Sequence, residues 1–242
     1  GATSLTYTLG QDDVGSAMSV TVSWTDDQGT AESLTSGATS AVSNINDDAS
    51  VAISGTATEG QVLTATVTDE DGAAGTITYV WKRAGSAISG ATSATYTLVQ
   101  ADVGSAITVS VSFTDDYSNG ETATSSATSA VANVNDDPTG SVVISGTPTE
   151  DQELSITNTL ADEDVLGSFS YAWKRAGTAI SGATSATYTL TQSDVGSAIT
   201  VTVSYTDGQN TAESSTSAAT AAVANVNDDP TGSVVISGTP TE

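Results

Sequence analysis

The feature that constrains this chain most is an exact internal repeat. Residues 131–150 have the sequence VANVNDDPTGSVVISGTPTE, and residues 223–242 repeat all twenty letters. A shorter element, Asn-hydrophobic-Asn-Asp-Asp, begins at Asn44, Asn133 and Asn225, at spacings of 89 and 92 residues. A period of this length predicts a tandem array in which each repeat has its own core.

The phase of the repeat divides the chain. It predicts the C-terminal half of a repeat at 1–45, complete repeats at 46–134 and 135–226, and the N-terminal strand of a further repeat at 227–242. Because half a repeat leaves a core face and a sheet edge open to water, we expect the chain to be a window of a longer array. The alternative is exchange of strands between molecules. It is less favoured because the last residues supply one strand while the first fragment lacks several.

The two complete repeats are predicted to share one all-β fold. Residues 82–115 and 174–207 differ at five of 34 positions, all of similar volume, so we expect the same core in both. Apolar and polar residues alternate over short stretches, as in half-buried strands. Six or seven such strands in about 90 residues predict tandem immunoglobulin-like β-sandwiches, with Trp81 and Trp173 as core residues. In the second repeat the predicted strands lie within 141–146, 154–160, 169–177, 186–190, 198–207 and 217–226.

Composition and charge exclude several classes of function. The net charge is −25, from 29 acidic and four basic residues, so nucleic acid is not an expected partner. No apolar run approaches the ~20 residues of a membrane helix, so no membrane insertion is expected in this segment. The chain has no Cys and no His, which removes disulfides, zinc sites of the usual kind and Ser-His-Asp triads. We do not expect an enzyme.

The acidic residues concentrate in segments that a sandwich brings to one end. The linker, the turn between the second and third strands and the turn between the sixth and seventh strands share that end. Carboxylates crowded there would repel one another, and Ca²⁺, which takes six to eight oxygen ligands, would remove that repulsion. The alternatives are solubility in a salty medium and Asp or Asn residues that only cap turns. The candidate metal ligands are Asn46, Asp47, Asp48, Asp69, Glu70, Asp71, Asp115 and Asp116, then Asn135, Asp136, Asp137, Asp162, Glu163, Asp164 and Asp207, then Asn227, Asp228 and Asp229.

The motifs Tyr-x-Trp-Lys-Arg-Ala-Gly, Asp-Val-Gly-Ser-Ala-Ile-Thr-Val and Val-Ala-Asn-Val-Asn-Asp-Asp-Pro resemble the immunoglobulin-like and cadherin-like tandem repeats of giant bacterial surface proteins, many of them adhesins of the repeats-in-toxin class. The resemblance implies an extracellular, calcium-stiffened stalk. The Asn-Asp linker is similar to that of cadherins, which implies a ligand role for Glu59 and Glu150, each facing the next linker. Asn133 departs from the pattern, since cadherins usually have Asp at that place.

We therefore expect extender repeats of an extracellular bacterial fibre or adhesin stalk, stiffened by Ca²⁺ at the linkers between repeats. Its partners would be the neighbouring repeats of the same chain and other copies in a fibre. The alternatives are a surface module that binds a glycan or a protein, and a calcium-dependent filament or matrix subunit. Asp102 and Asp194 follow a different pattern and are expected to brace their turns rather than to bind a ligand.

Overall fold

The computed structural model describes residues 2–73, 75–240 and 242, so the outermost residue of the predicted first fragment, Gly1, lies outside it. The chain forms two compact units, residues 1–134 and 135–242. Among the described residues, helical structure is confined to three short 3-10 turns, and no helix has the length and hydrophobicity needed to cross a membrane.

The first unit contains a two-stranded fragment followed by a complete sandwich. The fragment is a hairpin, and the sandwich pairs a three-stranded sheet of order β3-β4-β7 with a four-stranded sheet of order β6-β5-β8-β9, all antiparallel. The strands are β1 (Thr21–Thr25), β2 (Ala31–Thr35), β3 (Ser50–Ser54), β4 (Val62–Thr68), β5 (Thr78–Arg83), β6 (Ser86–Ala87), β7 (Thr95–Thr97), β8 (Ile107–Thr114) and β9 (Gly120–Thr124).

The second unit repeats this sandwich. Its sheets have the orders β10-β11-β14 and β13-β12-β15-β16, again antiparallel, so the predicted immunoglobulin-like fold is confirmed in both complete repeats. The short strand at the edge of the four-stranded sheet was not predicted. The strands are β10 (Val142–Ser145), β11 (Glu153–Asn158), β12 (Ser170–Arg175), β13 (Thr178–Ala179), β14 (Thr187–Thr189), β15 (Ile199–Thr206) and β16 (Ala212–Thr216).

Each sandwich has a separate core around one tryptophan. Trp81 and Trp173 are fully buried, as predicted, and each indole Nε1 donates a hydrogen bond of 2.9 Å to a backbone carbonyl oxygen. The rings lie 5.7 Å from Tyr96 and Tyr188 respectively, within aromatic contact distance. Alternate residues of the longest strands complete the packing: Ile107, Val109, Val111 and Phe113 in β8, and Ile199, Val201, Val203 and Tyr205 in β15.

The predicted final strand at 217–226 is not a regular strand, and the regular strand lies just before it. The last regular strand is β16, and the chain beyond it pairs with β15 in steps of three residues. The backbone amides of Ser217 and Thr220 donate to carbonyl oxygens in β15, and that of Val223 donates to Ser197, two residues before the strand. The hydroxyl oxygens of Ser217 and Thr220 accept from the amides of Val201 and Ile199 at 3.1 and 3.0 Å. Side-chain hydroxyls thus replace backbone carbonyls, which explains why the segment is extended but not a regular strand.

The exact sequence repeat adopts two conformations. Residues 142–145 form β10 because β11 supplies hydrogen-bond partners, whereas the same letters at 234–237 have no second strand and form none. Val234, Val235 and Ile236 are 99%, 79% and 97% exposed.

An ion pair braces the turn before β8 and before β15. In the second repeat Arg175 Nε lies 2.7 Å from Asp194 Oδ1, and Asp194 is fully buried. Its Oδ2 accepts from Tyr188 Oη at 2.9 Å and from the Thr191 amide and Oγ1 at 2.8 and 2.9 Å. Burial disfavours the charge, but these donors, led by Arg175, outweigh it and hold the pKa of Asp194 below its usual range. The predicted bracing role is confirmed, and Asp102 has the same role with Arg83.

Candidate metal centre

The acidic end of the first complete repeat is held together by hydrogen bonds to Asp71. This side chain is 2% exposed and lies in the turn between β4 and β5. Its Oδ2 accepts from the backbone amide of Asp47, in the linker, at 2.8 Å. Its Oδ1 accepts from Gln11 Nε2, also at 2.8 Å, and its backbone oxygen accepts from the amide of Asp116 at 3.3 Å. The linker and the two acidic turns therefore meet at one end, as predicted.

Glu121 in β9 is a second anchor for the linker that the sequence reasoning missed. It is 6% exposed, and its two carboxylate oxygens accept from Asn46 Nδ2 at 2.9 Å and from the Ala49 amide at 3.1 Å. The sequence feature that could have identified this glutamate is its recurrence in each repeat. Glu32, Glu121 and Glu213 recur at spacings of 89 and 92 residues, as the linker does.

Two aspartates of this end have opposite pKa shifts. Burial disfavours the charge of Asp115, but four hydrogen bonds from Asn119 and the residues before it outweigh burial and lower its pKa. Asp69 has its pKa raised, chiefly by burial and further by the charges of Glu121, Asp71 and Asp115. Asp69 Oδ2 is buried and accepts no hydrogen bond. The end therefore contains one well-compensated carboxylate and one that is poorly compensated.

The second complete repeat builds the same end. Asp164 is fully buried, and its Oδ2 accepts from the linker amide of Asp136 at 2.9 Å. Asn135 Nδ2 donates to Glu213 Oε1 at 2.9 Å, and the Asp164 amide donates to Asp162 Oδ1 at 2.8 Å. The linker is thus bonded to the repeat that follows it in both copies.

A tyrosine distinguishes this second end. Tyr205 Oη donates to Asp162 Oδ2, and burial together with that bond raises the pKa of Tyr205. Asp207 is 5% exposed, and its Oδ1 accepts from the amides of Gln209 and Thr211 at 2.8 and 2.7 Å. Asp207 Oδ2 is buried and accepts no hydrogen bond. A buried carboxylate oxygen without a donor is costly unless a cation compensates it.

The other predicted ligands lie apart from these clusters or at their rim. Glu59 and Glu150 lie at the opposite end of their repeats, because β4 and β11 separate them from the acidic turns. Their Oε2 atoms accept from the amides of Val134 and Val226 at 3.4 and 3.1 Å, so each touches the next linker, as the resemblance implied. The side chains of Asp48, Glu70, Asp116, Asp137, Glu163, Asn227, Asp228 and Asp229 are exposed.

The acidic side chains suit a hard cation as ligands, but they do not form a complete coordination sphere. The acidic side chains named above offer only oxygen atoms as ligands, which suits Ca²⁺. Within either compact unit, no three acidic side chains of the described residues each place a carboxylate oxygen within 4.8 Å of the other two. Backbone oxygens or water would therefore have to complete a coordination sphere there.

The acidic turn of the second repeat is strained at Val165. This residue has φ 74° and is 66% exposed, whereas Gly72 takes its place in the first repeat with φ 90°. A positive φ costs a β-branched residue about 1–2 kcal/mol.

We expect Val165→Gly to stabilise the second repeat by about 1 kcal/mol, since part of the relieved strain is offset by the entropy of glycine in the unfolded chain. Urea unfolding with repeat-resolved hydrogen exchange would measure it. The matched change Gly72→Val should destabilise the first repeat, because its Cβ would overlap the Asp116 carboxylate. Equal effects of the same sign would contradict this explanation.

Comparison with known proteins gives distant structural likenesses only. Neither family models nor curated proteins match the chain. Solved structures with a similar fold include three N-terminal domains of the outer capsid protein Hoc of bacteriophage RB49, with 19% identity, a TM-score of 0.28 and coverage of 73% of this chain and 59% of that one. Another is a Ca²⁺-stabilized adhesin that helps an Antarctic bacterium reach out and bind ice, with 17% identity, a TM-score of 0.33 and coverage of 86% and 56%.

A third is a tetra-tandem repeat in the extending region of a large adhesion protein, with 21% identity, a TM-score of 0.29 and coverage of 86% and 57%. The chain spans less than two thirds of the length of each of these three structures. With every TM-score below 0.5 and every identity below 25%, this chain is similar to them in fold and is not identified by them.

Proposed function

We propose that these repeats are extenders of an extracellular bacterial stalk or fibre, and that Ca²⁺ at the acidic end of each repeat fixes the linker that enters it. The observation that carries the proposal is a bond made in both complete repeats. The linker amide of Asp47 donates to the buried carboxylate of Asp71, and that of Asp136 donates to Asp164. A linker tied to a charged end is stiff only while that end is stable, so the cation would control stiffness.

Two further features support a cation there. Each acidic end contains a buried carboxylate oxygen without a donor, on Asp69 in one repeat and on Asp207 in the other. The chain has four basic residues, and two of them, Arg83 and Arg175, are engaged by Asp102 and Asp194. Protein cations are therefore too few to neutralise a net charge of −25. In this role Ca²⁺ would supply positive charge and flexible oxygen coordination.

Repetition favours a mechanical role over a catalytic one. The two complete repeats keep one fold and one kind of core, and residues 82–115 and 174–207 differ at only five of 34 positions. In such an array the length grows with each copy and the stability is roughly a sum over repeats and their neighbours. The partners in this proposal are neighbouring repeats of the same chain and other copies in a fibre, at the cell surface.

We expect Ca²⁺ at 100 times its Kd to raise the melting temperature by about 10 °C relative to chelator, and to narrow the distribution of molecular lengths. Calorimetry and small-angle X-ray scattering of residues 1–242 would measure both, with Mg²⁺ as the control ion. The double change Asp69→Asn and Asp207→Asn, at the acids with a donor-free buried oxygen, should remove most of the effect. A matched double change of exposed linker acids, Asp48→Asn and Asp137→Asn, should retain it. Identical melting and scattering in calcium and in chelator would disprove the proposal.

A further inference from the structure

The acidic ends of the two complete repeats differ at a linked pair of positions. Phe113 in β8 corresponds to Tyr205 in β15, and Asn119 in the following turn corresponds to Thr211. These are the side chains that either supply or withhold a hydrogen-bond donor to the acidic turns. The consequences for the carboxylates are opposite in the two repeats.

In the first repeat the donor is on the turn between β8 and β9. Asn119 Nδ2 donates to Asp115 Oδ2 at 2.8 Å, so both oxygens of Asp115 have donors. Phe113 has no hydroxyl to offer. Asp69 Oδ2 is left buried and without a hydrogen bond.

In the second repeat the donor is on the strand. Tyr205 Oη donates to Asp162 Oδ2, and the Asp164 amide donates to Asp162 Oδ1, so both oxygens of Asp162 have donors. Thr211 lacks the side-chain amide that Asn119 has. Asp207 Oδ2 is therefore left buried and without a hydrogen bond. Asp207 is 5% exposed, so water does not compensate this oxygen freely.

The pairing of the two differences keeps one such oxygen at each end. Phenylalanine with threonine would leave two acids uncompensated, and tyrosine with asparagine would leave none. The sequence has neither of these combinations in its complete repeats. We infer that each acidic end reserves one carboxylate oxygen as its principal ligand for a hard divalent cation, Asp69 in the first repeat and Asp207 in the second, and that the Phe113/Asn119 and Tyr205/Thr211 pairs select it. This inference rests on the proposed function and assigns its ligands differently in the two copies.

Four single substitutions with the same charge change test the assignment in the full chain. A Ca²⁺ titration followed by hydrogen exchange would give a separate midpoint for residues 46–134 and 135–226. Asp69→Asn should weaken the first repeat's midpoint, and Asp207→Asn the second's, by about tenfold or more. Asp115→Asn and Asp162→Asn, at the corresponding positions where both oxygens have donors, should weaken their midpoints clearly less than Asp69→Asn and Asp207→Asn do.

A transplant provides the decisive control because each side chain already occurs in a folded repeat. In the double variant Tyr205→Phe, Thr211→Asn, the sensitive acid of the second repeat should change from Asp207 to Asp162. If the same turn is sensitive in both wild-type repeats, or if the transplant leaves Asp207 sensitive, the inference is overturned and the proposed function survives. If neither wild-type repeat responds to Ca²⁺, the proposed function fails and this inference fails with it.

Discussion

Arg175→Ala is expected to lower the free energy of unfolding of the second repeat by about 3 kcal/mol. The change removes the donor 2.7 Å from Asp194 Oδ1 and leaves a fully buried carboxylate without its cation. Equilibrium unfolding in urea, followed by hydrogen exchange in residues 135–226, would measure the loss. Lys174→Ala is the control, because it removes the same charge one residue away without touching Asp194. An equal loss in both variants would contradict a specific role for the ion pair.

The first repeat sharpens this expectation. Asp102 accepts from Arg83, Tyr96 and the Val99 amide, but Val99 replaces Thr191 and offers no hydroxyl. Asp102 therefore has one donor fewer than Asp194 once the arginine is gone. Arg83→Ala should therefore cost more than Arg175→Ala, because the charge left on Asp102 has fewer remaining hydrogen-bond donors to stabilise it.

The pH dependence of the same pair has a definite sign. Because the pKa of Asp194 is lowered on folding, its stabilisation is present above the unfolded pKa of about 4 and is lost as the pH falls through the folded value. The stability difference between wild type and Arg175→Ala should accordingly shrink as the pH is lowered below about 4. A difference that stays constant between pH 6 and pH 2 would show that the arginine acts by packing alone.

The regular strands were predictable because each has one buried face. In β15 every second residue is buried, and the alternation of Ile199, Val201, Val203 and Tyr205 is visible in the sequence. The segment after β16 was not predictable in the same way. Its contacts have a period of three set by Ser217 and Thr220, whose hydroxyls accept hydrogen bonds from the neighbouring strand. Alternation with a period of two cannot represent such an arrangement.

The site was predictable in outline but not in detail. Topology alone places the linker and two acidic turns at one end, and Asp47 and Asp71 do meet there. Glu121 was missed because an acid within a strand is ordinarily solvent-facing, and only its recurrence marks it. Which oxygens lack donors depends on single substitutions such as Asn119 to Thr211, and that follows only from three-dimensional positions.

Trp173→Ala is expected to destabilise the second repeat by about 3–5 kcal/mol while leaving the first repeat within about 0.5 kcal/mol of wild type. Trp173 is fully buried, and its loss would leave a cavity beside Tyr188 and remove the donor to the Ser185 carbonyl oxygen. The prediction of independence follows from the two cores. The buried cluster of the first repeat lies within residues 63–131 and that of the second within 142–223.

Hydrogen exchange of the full chain measures both repeats in one experiment, and Trp81→Ala is the reciprocal variant. Trp81→Ala should lower the protection of backbone amides from exchange in residues 46–134 and leave that of residues 135–226 unchanged. The pair of variants also tests the proposed boundary near residue 134, because each cavity would lie in one of the two separate buried clusters. If either tryptophan substitution lowered protection equally in both repeats, the two sandwiches would be one cooperative unit. Stability in a longer array would then no longer be a sum over its repeats.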